Sequence, residues 1–310
     1  DGGFQELSIK VNGEPAEINL VGTHVRINLK NPIHTGESTK LMIEWAYALV
    51  EENAVRARNG YETFEDGNDI FLLAQWYPRV TVFSDYEGWH NKEFVGRGEF
   101  TLEFGDFEVD ITVPADHIVA ATGTLQNQDD VLSSSQKRRM KKAKNSSKPI
   151  FIVTPEEAYE NEIEKSAEYK TWSFKAENVR DFAWASSRKF IWDAAGFKQN
   201  SSENPTVMAM SFYPNEGEPL WSMYSTEAVM HTMEVYSKYS FDYPYPTAQS
   251  VNGPVGGMEY PMITFNGPRT ELEDDGSRTT PDAGRGKGDG TRAPHPGISI
   301  WGYYLDSPAV

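Results

Sequence analysis

The feature that most constrains the fold is a stretch of alternating apolar and polar residues from Glu99 to Pro114. Phe, Leu, Val or Ile occupies every second position on both sides of Gly105-Asp106. This period of two is typical of a strand with one buried face, and Gly-Asp between two such runs is a hairpin signal. The sequence therefore predicts a β-hairpin here rather than a helix.

Short strand-like segments recur along the first 200 residues. Leu7 to Val11 alternates apolar and polar residues, and Asn12-Gly13 follows as a turn. We predict that residues 1–200 form a mostly antiparallel β-sandwich domain, because short strands at such spacing are typical of sandwiches. The other strand-length segments are 16–20, 24–29, 40–50, 118–121, 150–153, 171–174 and 182–186.

A different pattern begins after residue 200. Apolar residues recur at intervals of three and four from Leu220 to Tyr239, which predicts an amphipathic helix that ends before the prolines at 243–246. Strand-like segments flank this helix. We therefore predict a mainly β chain in which residues 201–280 begin a second, α+β domain. Residues 281–310, rich in Gly, Pro and Arg, are predicted to form a flexible, atypical tail.

A basic run interrupts the strand pattern at 128–148. Seven Lys and Arg residues lie between Lys137 and Lys148. Such a run is found in nucleic-acid-binding segments and also in solvated surface loops. We favour a solvated loop between strands, because the rest of the chain is acidic.

Composition excludes several classes of function. The formal net charge is −17, from 46 acidic and 29 basic residues, and an acidic surface repels nucleic acid and anionic membranes. The chain has no cysteine, so disulfides, thiolate metal sites and cysteine nucleophiles are excluded. The lack of cysteine fits an extracytoplasmic enzyme but leaves the compartment open. No signal peptide or transmembrane segment is expected.

A glycine-rich run at 253–261 carries a carboxylate. Gly256 and Gly257 are followed by Met258, Glu259 and Tyr260. Paired glycines let the backbone pass close to another chain. A carboxylate presented just after them from a sheet edge can hold a cation such as the free amino group of a peptide. Taken alone, the same residues are also typical of a turn with a surface glutamate.

The wider context resembles the amino-terminal part of the aminopeptidase N family, a group of gluzincin zinc metallopeptidases. Residues 243–265, YPYPTAQSVNGPVGGMEYPMITF, resemble the segment that carries the family's Gly-x-Met-Glu-Asn signature. The resemblance extends over about residues 40–269. Its other parts are 74–79 and 85–89, which resemble the region that reaches the substrate cleft, and 111–114, 120–123 and 181–185, which resemble the end of the amino-terminal domain.

This resemblance implies a β-sandwich followed by the start of a thermolysin-like catalytic domain, and cleavage of amino-terminal residues from peptides. It implies that Glu259 binds the substrate amine, that the backbone of Gly256 and Gly257 pairs with the peptide, and that Gln75 lines the first side-chain pocket. Tyr260 stands where the family more commonly has Asn, which alters the local hydrogen bonding. The implied substrate-binding residues are Glu259, Gly256, Gly257, Met258, Gln75 and Tyr260.

The family's zinc motif is absent from this sequence. That motif is H-E-x-x-H, and none of the six histidines is followed by Glu and, four residues on, by His. His231 and Glu234 have the spacing of a ligand pair on a helix, although such pairs are more often surface contacts. We therefore predict no metal ligand, no catalytic residue and no cofactor in this chain, whereas the parent family uses zinc.

These observations predict a fragment or homologue of a zinc aminopeptidase that is inactive as it stands. Its expected partner is a peptide with a free amino terminus. An incomplete second domain would expose apolar surface, which predicts either a homo-oligomer or a loosely packed second domain. The alternatives are a non-catalytic β-sandwich binding module and a glycosidase that uses a carboxylate pair. The candidate pairs are Glu216 with Glu218 and Asp274 with Asp275.

Overall fold

The computed structural model describes residues 3–55, 58–93, 101–201, 203–254, 257–267, 269–273 and 275–279. Within these residues the fold is mainly β, as predicted. The strands are β1 (Ser8–Val11), β2 (Glu14–Pro15), β3 (Glu17–Val21), β4 (His24–Asn28), β5 (Leu41–Glu44), β6 (Asn59–Thr63), β7 (Asp69–Leu73), β8 (Phe83–Ser84), β9 (Gly88–Trp89), β10 (Gly105–Pro114), β11 (Ile118–Ala121), β12 (Thr124–Leu125), β13 (Ile150–Val153), β14 (Tyr169–Val179), β15 (Trp184–Ser187), β16 (Ile191–Lys198), β17 (Thr206–Tyr213), β18 (Thr247–Asn252), β19 (Met258–Tyr260), β20 (Ile263–Asn266), β21 (Glu271–Leu272) and β22 (Arg278–Thr279). The helices are α1 (Glu52–Val55), α2 (Gln128–Val131), α3 (Ser134–Ala143), α4 (Pro155–Glu164) and α5 (Leu220–Tyr239), with a 3-10 turn at Asn215–Gly217. None of the described helices is both long enough and apolar enough to cross a lipid bilayer.

Residues 1–49 and 77–103 make up one compact unit. It contains a three-stranded sheet in the order β2-β1-β5 and the hairpins β3–β4 and β8–β9. The predicted turn at Asn12-Gly13 joins β1 to β2, with positive φ values of 50° and 91° at these residues. Asn and Gly tolerate such values better than other residues, which explains the turn.

Residues 50–76 and 104–310 belong to a second unit. Its largest sheet has six strands in the order β13-β16-β17-β18-β20-β19. The pairs β17–β18 and β18–β20 are parallel, and the other neighbours are antiparallel. The unit also contains a four-stranded sheet, β11-β15-β7-β6, and a three-stranded sheet, β10-β14-β12.

The predicted turn at Gly105-Asp106 is wrong. Both residues begin β10, which continues to Pro114 and pairs with the distant β14. The register shifts between Gly105 and Phe107, so the Gly-Asp pair marks an irregularity in the ladder instead of a reversal of the chain. The alternation itself is confirmed in β10, where Ile111 and Val113 are buried.

Helix α5 matches the predicted bounds and packs on one face of the six-stranded sheet. Ser225 of α5 hydrogen-bonds Ser211 of β17, and Thr226 of α5 donates to Asp193 of β16 over 2.5 Å. Tyr213 of β17 also donates to Asp193, at 2.7 Å. Burial raises the pKa of the Asp193 carboxyl to about 7. These hydroxyl groups therefore satisfy a buried polar group between helix and sheet.

The segment 128–148 contains two helices, α2 and α3, where we predicted a loop. Ser133 begins α3 with a capping box: its side chain accepts from the Gln136 N–H, and the Gln136 side chain accepts from the Ser133 N–H. Ala143 and Leu132 are buried beneath the charged residues. The capping box and the burial of Ala143 stabilise a helix where the density of charge had suggested a loop.

The predicted boundary at residue 200 falls between two adjacent strands. Strands β16 and β17 pair antiparallel from Ile191–Tyr213 to Lys198–Thr206. The assignment of residues 1–200, 201–280 and 281–310 to separate regions stays a prediction. Residues 281–310 lie outside the described residues.

Candidate functional site

The glycine-rich run leads from the parallel part of the large sheet to its outermost strand. Strand β18 ends at Asn252, and β19 begins at Met258 and pairs antiparallel with β20. Gly257 has a φ of 104°, which favours glycine. Gly256 lies outside the described residues. Because β19 comes last in the strand order, its second edge is a place where an extended chain can add to the described sheet.

Glu259 lies in the middle of β19. Its Cα pairs with that of Thr264 in β20, and its side chain is half-buried. Tyr260 is buried, with its ring centroid 5.9 Å from that of Phe265. Adjacent residues of a strand point to opposite faces of the sheet. Met258 and the buried Tyr260 therefore share one face of β19, and Glu259 lies on the other.

The turn between β19 and β20 is fixed by hydrogen bonds from neighbouring strands. The Thr122 hydroxyl donates to the Pro261 carbonyl over 3.0 Å and accepts from the Ala183 N–H over 3.1 Å. The Met262 carbonyl accepts from the Gln249 N–H over 2.9 Å, and Met262 has a positive φ of 64°. This strained turn position is thus held from two sides, which positions β19.

Gly253 brings the glycine-rich run against strand β7. A Cβ atom at this position would lie 2.4 Å from Leu72 Cδ1, so only glycine fits without a shift. Gln75 lies in the bend just after β7, is exposed, and accepts a hydrogen bond from Asn59 through its carbonyl. Strand β7, which leads to Gln75, therefore lies beside the glycine-rich run that leads to Glu259. The roles of both side chains stay predictions.

Arg269 is a residue of this region that the sequence analysis missed. Its guanidinium binds Glu62 of β6 through two bonds, Nη1 to Oε1 at 2.8 Å and Nη2 to Oε2 at 2.7 Å. Its Nε donates to Asn252 Oδ1 over 2.5 Å, and its Cζ lies 4.6 Å from the Phe64 ring centroid. Arg269 therefore fixes the end of β18 to β6. No local sequence pattern marks Arg269, because its partner Glu62 lies 207 residues away in the chain.

The described residues do not fit a zinc ion. They contain no group of three or more His, Asp or Glu side chains placed to hold a metal. His231 and Glu234 are exposed on α5, and Glu234 pairs with Lys238 over 3.1 Å. The spacing of His231 and Glu234 thus corresponds to a surface position, and the sequence offers no H-E-x-x-H motif elsewhere.

The carboxylates proposed for glycosidase chemistry have separate partners. Glu216 forms an ion pair with the buried Lys189, at 3.1 Å between Oε1 and Nζ. Glu218 accepts a hydrogen bond from Ser222, and burial raises the pKa of its carboxyl. Asp274 lies outside the described residues, and Asp275 accepts from the Ser277 N–H. The glycosidase alternative stays a prediction without a supporting contact.

Neither a protein-family model nor a curated protein sequence matches this chain. Solved structures do match its fold. The M1 zinc metallopeptidase from Deinococcus radiodurans has a TM-score of 0.52 and 15% identity, covering 86% of this chain and 50% of that one. A mutant of that enzyme bound to a Tyr-Ser-Ala substrate matches with a TM-score of 0.51 and 15% identity over the same shares of the two chains.

A two-domain M1 zinc metallopeptidase mutant bound to L-arginine also matches, with a TM-score of 0.51, 15% identity, and coverage of 86% of this chain and 50% of that one. This chain therefore spans about half the length of the structures that it matches. At this level of identity the likeness shows the fold alone. The mainly β chain shares the fold of M1 zinc metallopeptidases over most of its length.

Proposed function

We propose that this chain is a homologue of zinc aminopeptidases that recognises peptides by their free amino terminus at strand β19, and that it does not hydrolyse them. The observation that carries the proposal is the position of Glu259. This carboxylate lies on the outermost strand of the described six-stranded sheet, two residues after a glycine with positive φ. The remaining support comes from the fold and the sequence motif.

Peptide recognition by this strand follows from the geometry of sheets. An extended peptide placed beside β19 exchanges backbone N–H and C=O hydrogen bonds with it, as in other cases of strand addition. Gly257 has no side chain to obstruct the approach of the peptide backbone. The carboxylate of Glu259 then offers a charge-assisted hydrogen bond to an ammonium group, which an internal peptide segment lacks.

The comparisons are consistent with this role. One structure with the same fold carries a Tyr-Ser-Ala substrate, which is a short peptide. Residues 253–261 of this chain resemble the substrate-binding signature of the aminopeptidase N family. Under this proposal Gly256, Gly257, Met258 and Glu259 line the amino-terminal end of the peptide, and Gln75 contributes to the first side-chain pocket.

We expect no hydrolysis, because the residues do not fit the metal that the fold family uses. A catalytic zinc lowers the pKa of bound water and polarises the scissile carbonyl. Its binding needs at least three protein ligands in a suitable arrangement. The described residues provide no such set, and the six histidines of the sequence do not form the family motif.

Amide hydrogen exchange measured by NMR tests the location of the peptide. Addition of Tyr-Ser-Ala should slow the exchange of backbone amides in 257–260, because the added strand shields them and bonds them. N-acetylated Tyr-Ser-Ala at the same concentration should slow them much less. Protection that appears only outside β19, or that is equal for both peptides, would count against the proposal.

A further inference from the structure

A cavity of about 360 Å³ lies on the face of the six-stranded sheet opposite to α5. Met208, Met210 and Phe212 of β17 line it. The alternate residues face α5: Ser211 hydrogen-bonds Ser225, and the Tyr213 ring packs on Trp221. This division follows from the alternation of side chains along a strand. Helix α3 and strands β11, β12 and β14 supply the other walls. The volume is near the lower end of the range of about 300–1,000 Å³ for small-molecule sites.

The interior of the cavity is apolar. Trp192 stacks on Phe212 with ring centroids 5.0 Å apart, and Phe174 and Met140 line the other side. Methionine side chains adapt to ligands of irregular shape, so Met208 suits a flexible apolar group. Two polar side chains in the wall already have partners: Gln249 donates to the Ala121 carbonyl over 2.7 Å, and Thr247 donates to the Gly123 carbonyl over 3.2 Å.

Two lysines of α3 and the segment after it line the same cavity. Lys141 and Lys144 are exposed, so the cavity reaches the surface at this point. Among the described residues neither has an ion-pair partner, whereas Lys137 pairs with Asp129 over 2.9 Å and Arg139 pairs with Glu157 over 2.6 Å. The mouth of the apolar cavity thus carries two lysines that form no ion pair within the described part of the chain, although the charge of Lys141 also helps, after the hydrogen bond from Lys137, to lower the pKa of the nearby Asp129 carboxyl.

The indole of Trp192 also lines the cavity. Trp192 is only 3% exposed, and its indole Nε1–H is buried without a hydrogen-bond partner in the described part of the chain. Buried donors are usually paired, so this N–H marks a polar point within an otherwise apolar wall.

The backbone at Lys144 packs closely on strand β16. A Cβ atom at Gly196 of β16 would lie 2.2 Å from the Lys144 carbonyl oxygen, which shows how closely this strand packs on the end of α3. The Gly196 N–H also donates to the Ser146 carbonyl over 2.9 Å. The backbone at the Lys144 side of the mouth is therefore packed on strand β16.

We propose that this cavity is a binding site for a medium-chain carboxylic acid. The acyl chain lies between Met208, Met210 and Met140, and the carboxylate lies at the mouth on Lys141 and Lys144. Charge complementarity selects this occupant: the chain carries a net charge of −17, which repels anions elsewhere on its surface, whereas these lysines attract one. An uncharged apolar molecule is stabilised in this cavity only by the burial of its apolar surface. A small anion without an apolar chain is stabilised only by its interaction with the lysines.

Isothermal titration calorimetry of the full chain with decanoate and with decanol tests the proposal. We expect decanoate to bind with a stoichiometry of one. The double variant Lys141→Ala/Lys144→Ala should raise the dissociation constant of decanoate at least tenfold. It should leave that of decanol unchanged, because only the carboxylate contacts the lysines. Raised salt should weaken decanoate in the wild type.

The matched control is the double variant Lys142→Ala/Lys148→Ala. It removes the same charge from exposed positions that do not line the cavity, so decanoate should bind as to the wild type. Met208→Trp fills the cavity and should abolish binding of both ligands, with thermal unfolding used to check that this variant is folded. If Met208→Trp does not fold, the two lysine double variants still test the proposal.

Three outcomes would overturn the proposal. The first is the absence of decanoate binding to the wild type. The second is an equal loss of decanoate affinity in the two lysine double variants, which would show a general effect of charge. The third is full decanoate binding to a folded Met208→Trp variant, which would place the ligand elsewhere.

Discussion

The Thr122 hydroxyl donates a hydrogen bond to the Pro261 carbonyl over 3.0 Å, across 139 residues of sequence. The same oxygen accepts from the Ala183 N–H over 3.1 Å, and Thr122 is fully buried. A single side chain therefore links the end of β11, the entry to β15 and the turn that follows Glu259. The position of the candidate binding strand depends on a buried polar contact and not only on the pairing of β19 with β20.

Replacing Thr122 by valine keeps the shape of the side chain and removes this contact. We expect the free energy of unfolding to fall by about 1–3 kcal/mol, because a buried carbonyl and a buried N–H each lose a partner. Urea denaturation measures the change. Thr112→Val is the control, since the Thr112 hydroxyl pairs with Thr171 at an exposed position, and it should change stability by about 0.5 kcal/mol or less. Equal effects of the two substitutions would contradict the role assigned to Thr122.

Replacing Gly196 by alanine tests the close packing of β16 on the end of α3. The added methyl group would lie 2.2 Å from the Lys144 carbonyl oxygen, which is backbone and cannot rotate away. We expect a loss of about 1–3 kcal/mol in unfolding free energy, the usual result of overpacking. Gly105→Ala is the matched control, because a Cβ there meets no atom within 4 Å. A neutral Gly196→Ala would show that α3 moves freely over the sheet.

Stability should depend on pH through His117. Burial lowers the pKa of this imidazole to about 4, and its Nδ1 lies 2.7 Å from the buried Ser186 hydroxyl. The unfolded chain binds a proton near pH 6.5, so between pH 6.5 and 4 it binds more protons than the folded chain, and stability falls as pH drops through this window. The contribution is fully present above pH 6.5 and amounts to about 3 kcal/mol.

The measurement is the unfolding free energy of the wild type and of His117→Gln from pH 4 to pH 8. The difference between them should change with pH below 6.5 and be constant above it. A difference that is independent of pH over the whole range would show that the imidazole is protonated as readily in the folded state as in the unfolded one.

The chain should hold no stoichiometric zinc. The sequence has no H-E-x-x-H motif, and two or fewer ligands do not bind zinc tightly. Elemental analysis after dialysis should give well below one zinc per chain, and an alanyl-anilide substrate should remain intact after zinc is added. About one tightly held zinc, or zinc-dependent cleavage lost in Glu259→Gln, would contradict this account.

Local sequence patterns predicted the individual elements well. Helix α5 has the predicted bounds because its apolar residues repeat with a helical period. Strands β11 and β13 lie where short apolar segments predicted them. The hairpin at Gly105-Asp106 was wrong because β10 finds its partner in β14, some 65 residues away by the register Val109–Phe174. Pairing at such distances is a tertiary effect that no local pattern contains.

The residues of the candidate site were named from the sequence and their roles stay predictions, whereas the contacts that position them come from the structure. The Gly-Met-Glu motif pointed to Glu259, and the structure adds the outermost strand on which it lies. Thr122, Leu72 and Arg269 could not be predicted from sequence, because each acts through a partner that is distant in the chain. The helical nature of α3 was also missed, since its density of lysines concealed the capping box at Ser133.

The central claim is that Glu259 recognises a free amino terminus, and a ratio of dissociation constants tests it most directly. The ratio compares N-acetylated with free Tyr-Ser-Ala, measured by calorimetry on the wild type, on Glu259→Gln and on the exposed control Glu227→Gln. We predict a ratio of at least about 10 for the wild type and for Glu227→Gln, since a charge-assisted bond contributes about 1.5–3 kcal/mol, and a ratio near 1 for Glu259→Gln. A ratio that is the same in all three proteins would contradict the claim.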